Sequence, residues 1–393
     1  METGSYRSRS FSSVLMLCAL LVVGIALLGL GGGNRDVGEA AAADVTYLIV
    51  DTGQGNCYNS DGEAIACPAE GEAFYGQDAQ YEGAPFAFQD NGDGTVTDLN
   101  TGLMWQVTPS SQSFSYEEAV EYAENLELAG YDDWRVPSTK ELFSISDFSE
   151  GWPYFDTDVF DIAGRSVSKD EQYWTESYVG LTHGGQVSAF GVNHGTGHIK
   201  SYPVDGRGNY VRVVRGESYG VNDFVDNGDG TVTDVATGLM WSQDDSGVGM
   251  DWEHALAYAE GSELAGYDDW RLPNVKELQS IVDYSKSPNA TDSNDLGPAI
   301  DTDFFNITAL ASGTTAYDPD YGWFWTGTSA YMNERSPEYY YAWYVAFGTG
   351  VGPTGEDTHG AGAVRFDTKA EGGAAGEDAA RIFNYVRLVR DVD

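Results

Sequence analysis

Six aspartates are the residues of this chain best suited to metal chemistry, and they come in two sets of three. Asp90, Asp93 and Asp98 lie in Asp90-Asn-Gly-Asp-Gly-Thr-Val-Thr-Asp98, and Asp226, Asp229 and Asp234 lie in an identical stretch that ends at Asp234. Clustered carboxylates are what Ca²⁺ requires, so calcium is the cofactor these turns could hold. Their spacing departs from an EF-hand loop, which wants acids at its first, third and fifth positions and Gly at the sixth. Asn-Gly and Asp-Gly pairs are in any case hairpin-turn chemistry, so calcium ligation and plain turns are competing readings.

A second group is aromatic. The run Tyr339-Tyr-Tyr-Ala-Trp-Tyr344 puts rings on both faces of a strand. Matching Val187-Ser-Ala-Phe190 to Tyr344-Val-Ala-Phe347 sets Tyr344 against Val187, and matching Tyr173-Trp-Thr175 to Phe324-Trp-Thr326 sets Trp323 against Gln172. These rings are thus not demanded by whatever fold the two stretches share. With Asp, Asn and Glu nearby, Trp323, Tyr340, Trp343 and Tyr344 form a candidate ligand surface for sugars or peptides; core packing or a contact between repeats is the alternative. His194-Gly-Thr-Gly-His198 spaces two histidines as a helical metal site would, but the two glycines argue for a loop. No histidine recurs between the matching stretches, so no catalytic set is expected.

The elements that must position these groups are repeated. The acidic stretch, Thr101-Gly-Leu-Met-Trp105 and Ala129-Gly-Tyr-Asp-Asp-Trp-Arg135 all recur 136 residues later, as Trp105 and Trp241 show. Each copy opens with a β-meander. A helix follows, capped by Ser115 with Glu118 in copy one and by Asp251 in copy two, with Ala119, Tyr122, Ala123 and Leu126 as the apolar stripe of the first. A second helix begins after Pro137 or Pro273, with Ser138 and Glu141, or Asn274 and Glu277, at the capping-box positions. Trp134 and Trp270 read as core, and Arg135 and Arg271 as partners of a buried carboxylate or carbonyl. Later strands close each copy on Tyr210-Val-Arg and Tyr385-Val-Arg, and the Gly-rich stretch Gly352 to Asp378 reads as a surface insertion. The expectation is an α+β fold of two tandem domains, residues 85–216 and 217–393, each with a β-meander, two helices and a mainly antiparallel sheet.

Residues 1–43 read as a signal peptide: Arg7 and Arg9 precede an apolar run from Val14 to Leu30, and Ala40 to Ala43 offer a cleavage site. An uncleaved membrane anchor is the rival. Either way the protein is expected outside the cytoplasm, periplasmic, secreted or on the cell surface. In that compartment Cys57 and Cys67, in the non-repeating leader 44–84, are expected to form a disulfide. The net charge of −42, from 62 acidic and 20 basic residues, excludes nucleic acid and anionic membranes as natural partners.

The combination of Asp-Asn-Gly-Asp-Gly-Thr-Val-Thr-Asp, Thr-Gly-Leu-Met-Trp, Trp270-Arg-Leu-Pro with Lys276-Glu-Leu278, and the closing Tyr-Val-Arg resembles the bacterial domain of unknown function 1566, the collagen-like adhesin C-terminal domain, over both repeats. More remotely, Trp-Arg-Leu-Pro with the closing Arg-Val-Val-Arg is similar to formylglycine-generating enzymes. The resemblance implies C-type-lectin-like domains and adhesion or ligand binding. The repeats contain no cysteine, which speaks against a formylglycine-generating activity. The expected function is a non-catalytic binding module for carbohydrate or a cell-surface protein; the alternative is an envelope-assembly protein that binds another protein.

Overall fold

The computed structural model describes residues 45–392 except 165, 334, 336–337, 353–354 and 374–380. The expected signal peptide or anchor, residues 1–43, lies outside the described residues. From Ala42 onward the chain forms one compact unit.

The leader contributes β1 (Cys57–Tyr58) and β2 (Ala64–Ile65). Copy one contributes β3 (Phe88–Asp90), β4 (Thr95–Asp98), β5 (Met104–Gln106), α1 (Tyr116–Glu124), α2 (Thr139–Ser144), β6 (Gln172–Thr182), β7 (Gln186–Asn193), β8 (His198–Pro203) and β9 (Val214–Arg215). Copy two follows with β10 (Phe224–Asp226), β11 (Thr231–Asp234), β12 (Leu239–Ser242), α3 (Trp252–Glu260), α4 (Val275–Ser280), β13 (Trp323–Ala330), β14 (Tyr341–Ala346), β15 (Val364–Thr368) and β16 (Val389–Asp391).

The α+β expectation, with two helices and a sheet in each of two lectin-like domains, is corrected by this inventory. Strand makes up 28% of the chain and helix only 11%, in four sheets, so the fold is mostly β. The apolar stripes are cut short: α1 stops at Glu124, leaving Leu126 beyond its end, and α2 and α4 run only 6 residues each. Helices of one to three turns are marginal alone and owe their stability to the sheets they pack on. The caps are those the residue types dictate: Ser115, Ser138 and Asn274 each accept from the backbone N–H three residues on, and the Glu at that position returns the bond.

Each meander forms a four-stranded sheet closed by the last strand of its own copy, in the orders β3-β4-β5-β9 and β10-β11-β12-β16. The terminal Tyr-Val-Arg arginines are pinned behind these sheets. Arg387 is fully buried and donates to the carbonyls of Ser242, Gln243 and Asn306 at 2.8, 2.8 and 2.6 Å. Arg212 does the same for Gln106, Val107 and Asp161.

The later strands of both copies merge into one antiparallel sheet, ordered β13-β14-β15-β8-β7-β6. Ile199 lies opposite Val192 in copy one and Val364 opposite Val345 in copy two, so Ile199 and Val364 are equivalent residues. At the centre of the sheet these two pair with each other, antiparallel. The copies are therefore related by a local two-fold through the sheet, as in a C2 dimer fused into one chain. Helices α2 and α4 meet across the same relation. One hydrophobic core draws on both copies, from Phe148, Tyr154 and Phe190 to Trp343, Val345 and Phe366. The expected surface insertion at 352–378 is corrected here, since it contains β15, buried along its whole length. Its Gly-rich flanks hid a central strand.

The leader binds copy two. Gln54 exchanges bonds of 2.9 and 2.7 Å with the backbone of Ser329 at the edge of β13, and the Asp78 carboxylate accepts from the hydroxyls of Thr52 and Thr328 at 2.8 and 2.6 Å. Cys57 and Cys67 are joined in a disulfide. Among the described residues no helix is long and apolar enough to cross a membrane.

Candidate functional site

The six aspartates are not brought together. Each is engaged within its own meander: Asp90 and Asp226 accept from Gly92 and Gly228 at 2.8 Å, and Asp93 and Asp229 accept from the Thr95 and Thr231 hydroxyls at 2.6 Å. Asp98 accepts from the Asn100 amide at 2.9 Å, and Asp234 from Asp223 N and Asn222 Nδ2 at 2.9 and 2.8 Å. Among the described residues no group of three or more His, Cys, Asp or Glu side chains is placed to hold a metal ion. His194 and His198 flank a tight turn between β7 and β8 and are buried in aromatic surroundings, His194 against Phe155 and Tyr173, His198 against Trp343 and Phe366. Burial, with Arg212 nearby, pulls the His194 imidazole down to about 3, so it is neutral.

The aromatic surface is corrected too. Trp343 is 0% exposed and packs on Phe148 and Tyr154 of copy one, making it part of the contact between repeats. Trp323 and Tyr344 are buried, and Tyr340 is half-buried beside the core. The match of Tyr344 to Val187 was out of register. In β6 and β7 Trp174 lies opposite Gly191, and in β13 and β14 Trp325 lies opposite Tyr344, so the residue equivalent to Tyr344 is Gly191. Gln172 and Trp323 are equivalent as matched: each carbonyl accepts, at 2.8 Å, from the Tyr of the Tyr-Val-Arg run that leads into the closing strand, from Tyr210 N and Tyr385 N.

That register explains the surplus rings. In copy two Arg381 lies 4.2 Å over the Trp323 ring and donates to the Tyr344 hydroxyl at 2.6 Å and to Asp367 at 3.2 Å. Asn384 adds a bond from Nδ2 to the same Asp367 oxygen at 3.0 Å. In copy one these places are held by Gln172 for Trp323, Gly191 for Tyr344 and Tyr202 for Asp367. The Tyr202 ring lies over Gly191, 3.0 Å from where a β-carbon would stand, and beside it opens a cleft of about 540 Å³, walled by Gln172, Trp174, Asn193, Lys200, Tyr202 and Asn209 among others. Asn209 stands where Asn384 does. It is 4% exposed, and its Nδ2 has no hydrogen-bond partner, because the aspartate that would accept is a tyrosine here. A buried donor without an acceptor costs about 1–3 kcal/mol, which a ligand oxygen would recover.

The rim is basic in an acidic protein. Lys169, Lys200 and Arg207 all line the cleft, the Lys200 ammonium 5.3 Å from the Tyr202 ring and Arg207 paired with Asp170 at 3.3 Å. The cleft therefore offers amide and cationic donors beside the faces of Tyr202 and Tyr210. The sequence singled out Gln172, Trp174 and Tyr210 only as landmarks of the repeat and the other residues named not at all; the available signal was the echo of Asn209-Tyr210 in Asn384-Tyr385.

Residues 94–215 and again residues 230–367 match the Lcl C-terminal domain family model, which covers most of the chain. The chain belongs to that family. The two matches take in both helix pairs, the six-stranded sheet but for the last residue of β15, and each meander without its first strand, and neither reaches the leader. No curated protein and no solved structure matches the chain. The likeness to formylglycine-generating enzymes thus has no counterpart among the matches.

Proposed function

We propose that this protein is an exported, non-catalytic recognition module that binds a carbohydrate of a cell surface in the copy-one cleft. One observation carries the reading: the chain fills this place in copy two with its own Trp323, Tyr344 and Arg381, and leaves it open in copy one around an unsatisfied Asn209 donor. A cavity of this size with a few convergent polar groups is the usual form of a small-ligand site. Amides at Gln172, Asn193 and Asn209 suit sugar hydroxyls, and the phenol rings of Tyr202 and Tyr210 suit the apolar face of a pyranose. The tandem family match supports a repeat-built module.

The test is thermal unfolding of the protein across a panel of neutral and acidic glycans, with Asn209→Ala as the control. A ligand that binds only the folded state raises Tm. The expected result is a shift of several degrees with one sugar class, reduced in Asn209→Ala. No shift with any glycan would refute the carbohydrate reading.

A further inference from the structure

Copy one holds a second vacant place, and copy two shows what fits it. Both copies carry the same bidentate ion pair, Arg135 with Glu141 at 2.6 and 2.6 Å and Arg271 with Glu277 at 2.6 and 2.7 Å. In copy two the pair is roofed by the leader: the Tyr81 ring lies 5.1 Å from the Arg271 guanidinium, and the Tyr81 hydroxyl donates to Glu260 of α3 at 2.7 Å. The Arg271 side chain is 6% exposed as a result, against 38% for Arg135.

The strand beside the pair is adapted to this difference. Gly327 of β13 lies under the leader, where a β-carbon would come within 3.1 Å of the Asp78 backbone nitrogen. Opposite Ala189 and Ala342 stand Ser177 and Ser329, and β13 carries one more residue than β6 between them and Trp325 and Trp174, so Gly327 has no counterpart in copy one and Glu176 stands in the place of Thr328: Glu176 accepts from Thr139 N at 3.4 Å as Thr328 accepts from Val275 N at 3.0 Å. Glu176 lines an open groove of about 490 Å³ together with Arg135, Lys140, Glu141, Asp283 and Asp301. Glu124, at the place of Glu260 on α1, is exposed.

We infer that this groove docks an extended segment of a partner protein, with a tyrosine set on Arg135 as Tyr81 is set on Arg271, and with a basic residue three positions before it facing Glu176. The occupied copy-two site supplies the pose. The change from Thr328, whose hydroxyl donates to Asp78 in copy two, to Glu176 supplies the charge: where the leader brings Asp78, a segment docking on copy one meets a carboxylate, with Asp283 and Asp301 lining the same groove. A cationic side chain is the complement, and the net charge of −42 steers such a segment toward the protein. This site is separate from the sugar cleft and does not depend on it.

The probe is a fluorescein-labelled peptide with the sequence of residues 73–82 and lysine in place of Asp78, titrated into the full protein by fluorescence anisotropy. Three comparisons accompany it: the unaltered 73–82 sequence, the lysine peptide with Tyr81→Ala, and the lysine peptide against a Glu176→Gln protein. The expected result is saturable binding of the lysine peptide, weakened at least tenfold by Tyr81→Ala and by Glu176→Gln, with the unaltered sequence weaker still. No binding at millimolar peptide, or equal binding of the tyrosine and alanine peptides, would overturn the docking site. Equal binding of the lysine and unaltered peptides would overturn the role of Glu176. The peptide variants keep the test decisive even if Glu176→Gln fails to fold.

Discussion

Replacing Asp78 by Asn is expected to stabilise the protein at neutral pH and to do nothing at pH 4. The carboxyl is 4% exposed between the Thr52 and Thr328 hydroxyls, and burial pushes it up to about 7. Its ordinary value when unfolded is about 3.9. Between those values the folded state holds a proton that the unfolded state has released, so stability falls as pH rises from about 4 to 7 and is level above that. At about 1.4 kcal/mol per pH unit, the loss reaches up to about 4 kcal/mol. Asparagine keeps a carbonyl oxygen for the two hydroxyls and carries no charge to bury. Lys276, whose burial pulls its ammonium down to about 7, titrates in the same range, so the quantity to read is variant minus wild type at each pH. Calorimetric Tm measured from pH 4 to 8 should give a difference near zero at the acid end that grows to a plateau above pH 7. A difference independent of pH, or one that shrinks as pH rises, would refute a neutral buried carboxyl at this position.

Four further outcomes follow from the packing. Arg387→Met should cost about 3–5 kcal/mol in urea unfolding, since it strips the donor from three buried carbonyls, and Arg212→Met should match it because the cage is the same; a cost under 1 kcal/mol would show that the carbonyls find water. Changing both Cys57 and Cys67 to Ser should cost about 3 kcal/mol, the loop-closure value for a separation of 10 residues, with the loss expressed in the leader's attachment to copy two. Chelator or millimolar Ca²⁺ should move Tm by less than about 1 °C, because the carboxylates at Asp90 and Asp226 already serve their own turns; a rise of several degrees with Ca²⁺ would contradict that. Val364→Lys should disrupt the shared sheet and cost several kcal/mol, a fully buried charge having no partner at the two-fold.

What the sequence made legible was local. The capping boxes at Ser138 and Asn274 and the turns at Asp90 and Asp226 involve residues no more than about seven apart, and residue type alone specifies them; that Arg135 and Arg271 would find a carboxylate or carbonyl was also readable, though not that it is the capping-box Glu. The pairing of Ile199 with Val364 spans the two copies, and no local pattern encodes it. The register of the later strands failed for a related reason. A four-residue likeness between Val187-Ser-Ala-Phe190 and Tyr344-Val-Ala-Phe347 outweighed the hairpin lengths that set the true pairing, and a slip reassigns every side chain it touches. The cleft was invisible for that reason: it opens where Gln172 stands for Trp323 and Tyr202 for Asp367, and the comparison means nothing until the strands are in register. The surplus rings mark the copy in which this place is filled.

The central claim is that copy one keeps open a cleft that copy two has filled, and that the open cleft is the binding site. Gln172→Trp gives copy one the side chain copy two carries at Trp323, at a half-buried position where a larger ring projects into the cleft rather than the core. Titration calorimetry of wild type and Gln172→Trp with the sugar that most raises the wild-type Tm is the direct measurement. The account predicts one site per chain in wild type and at least a tenfold loss of affinity in the variant, with its fold intact by circular dichroism. Unchanged affinity in a folded Gln172→Trp protein, or two equivalent sites per chain in wild type, would contradict it.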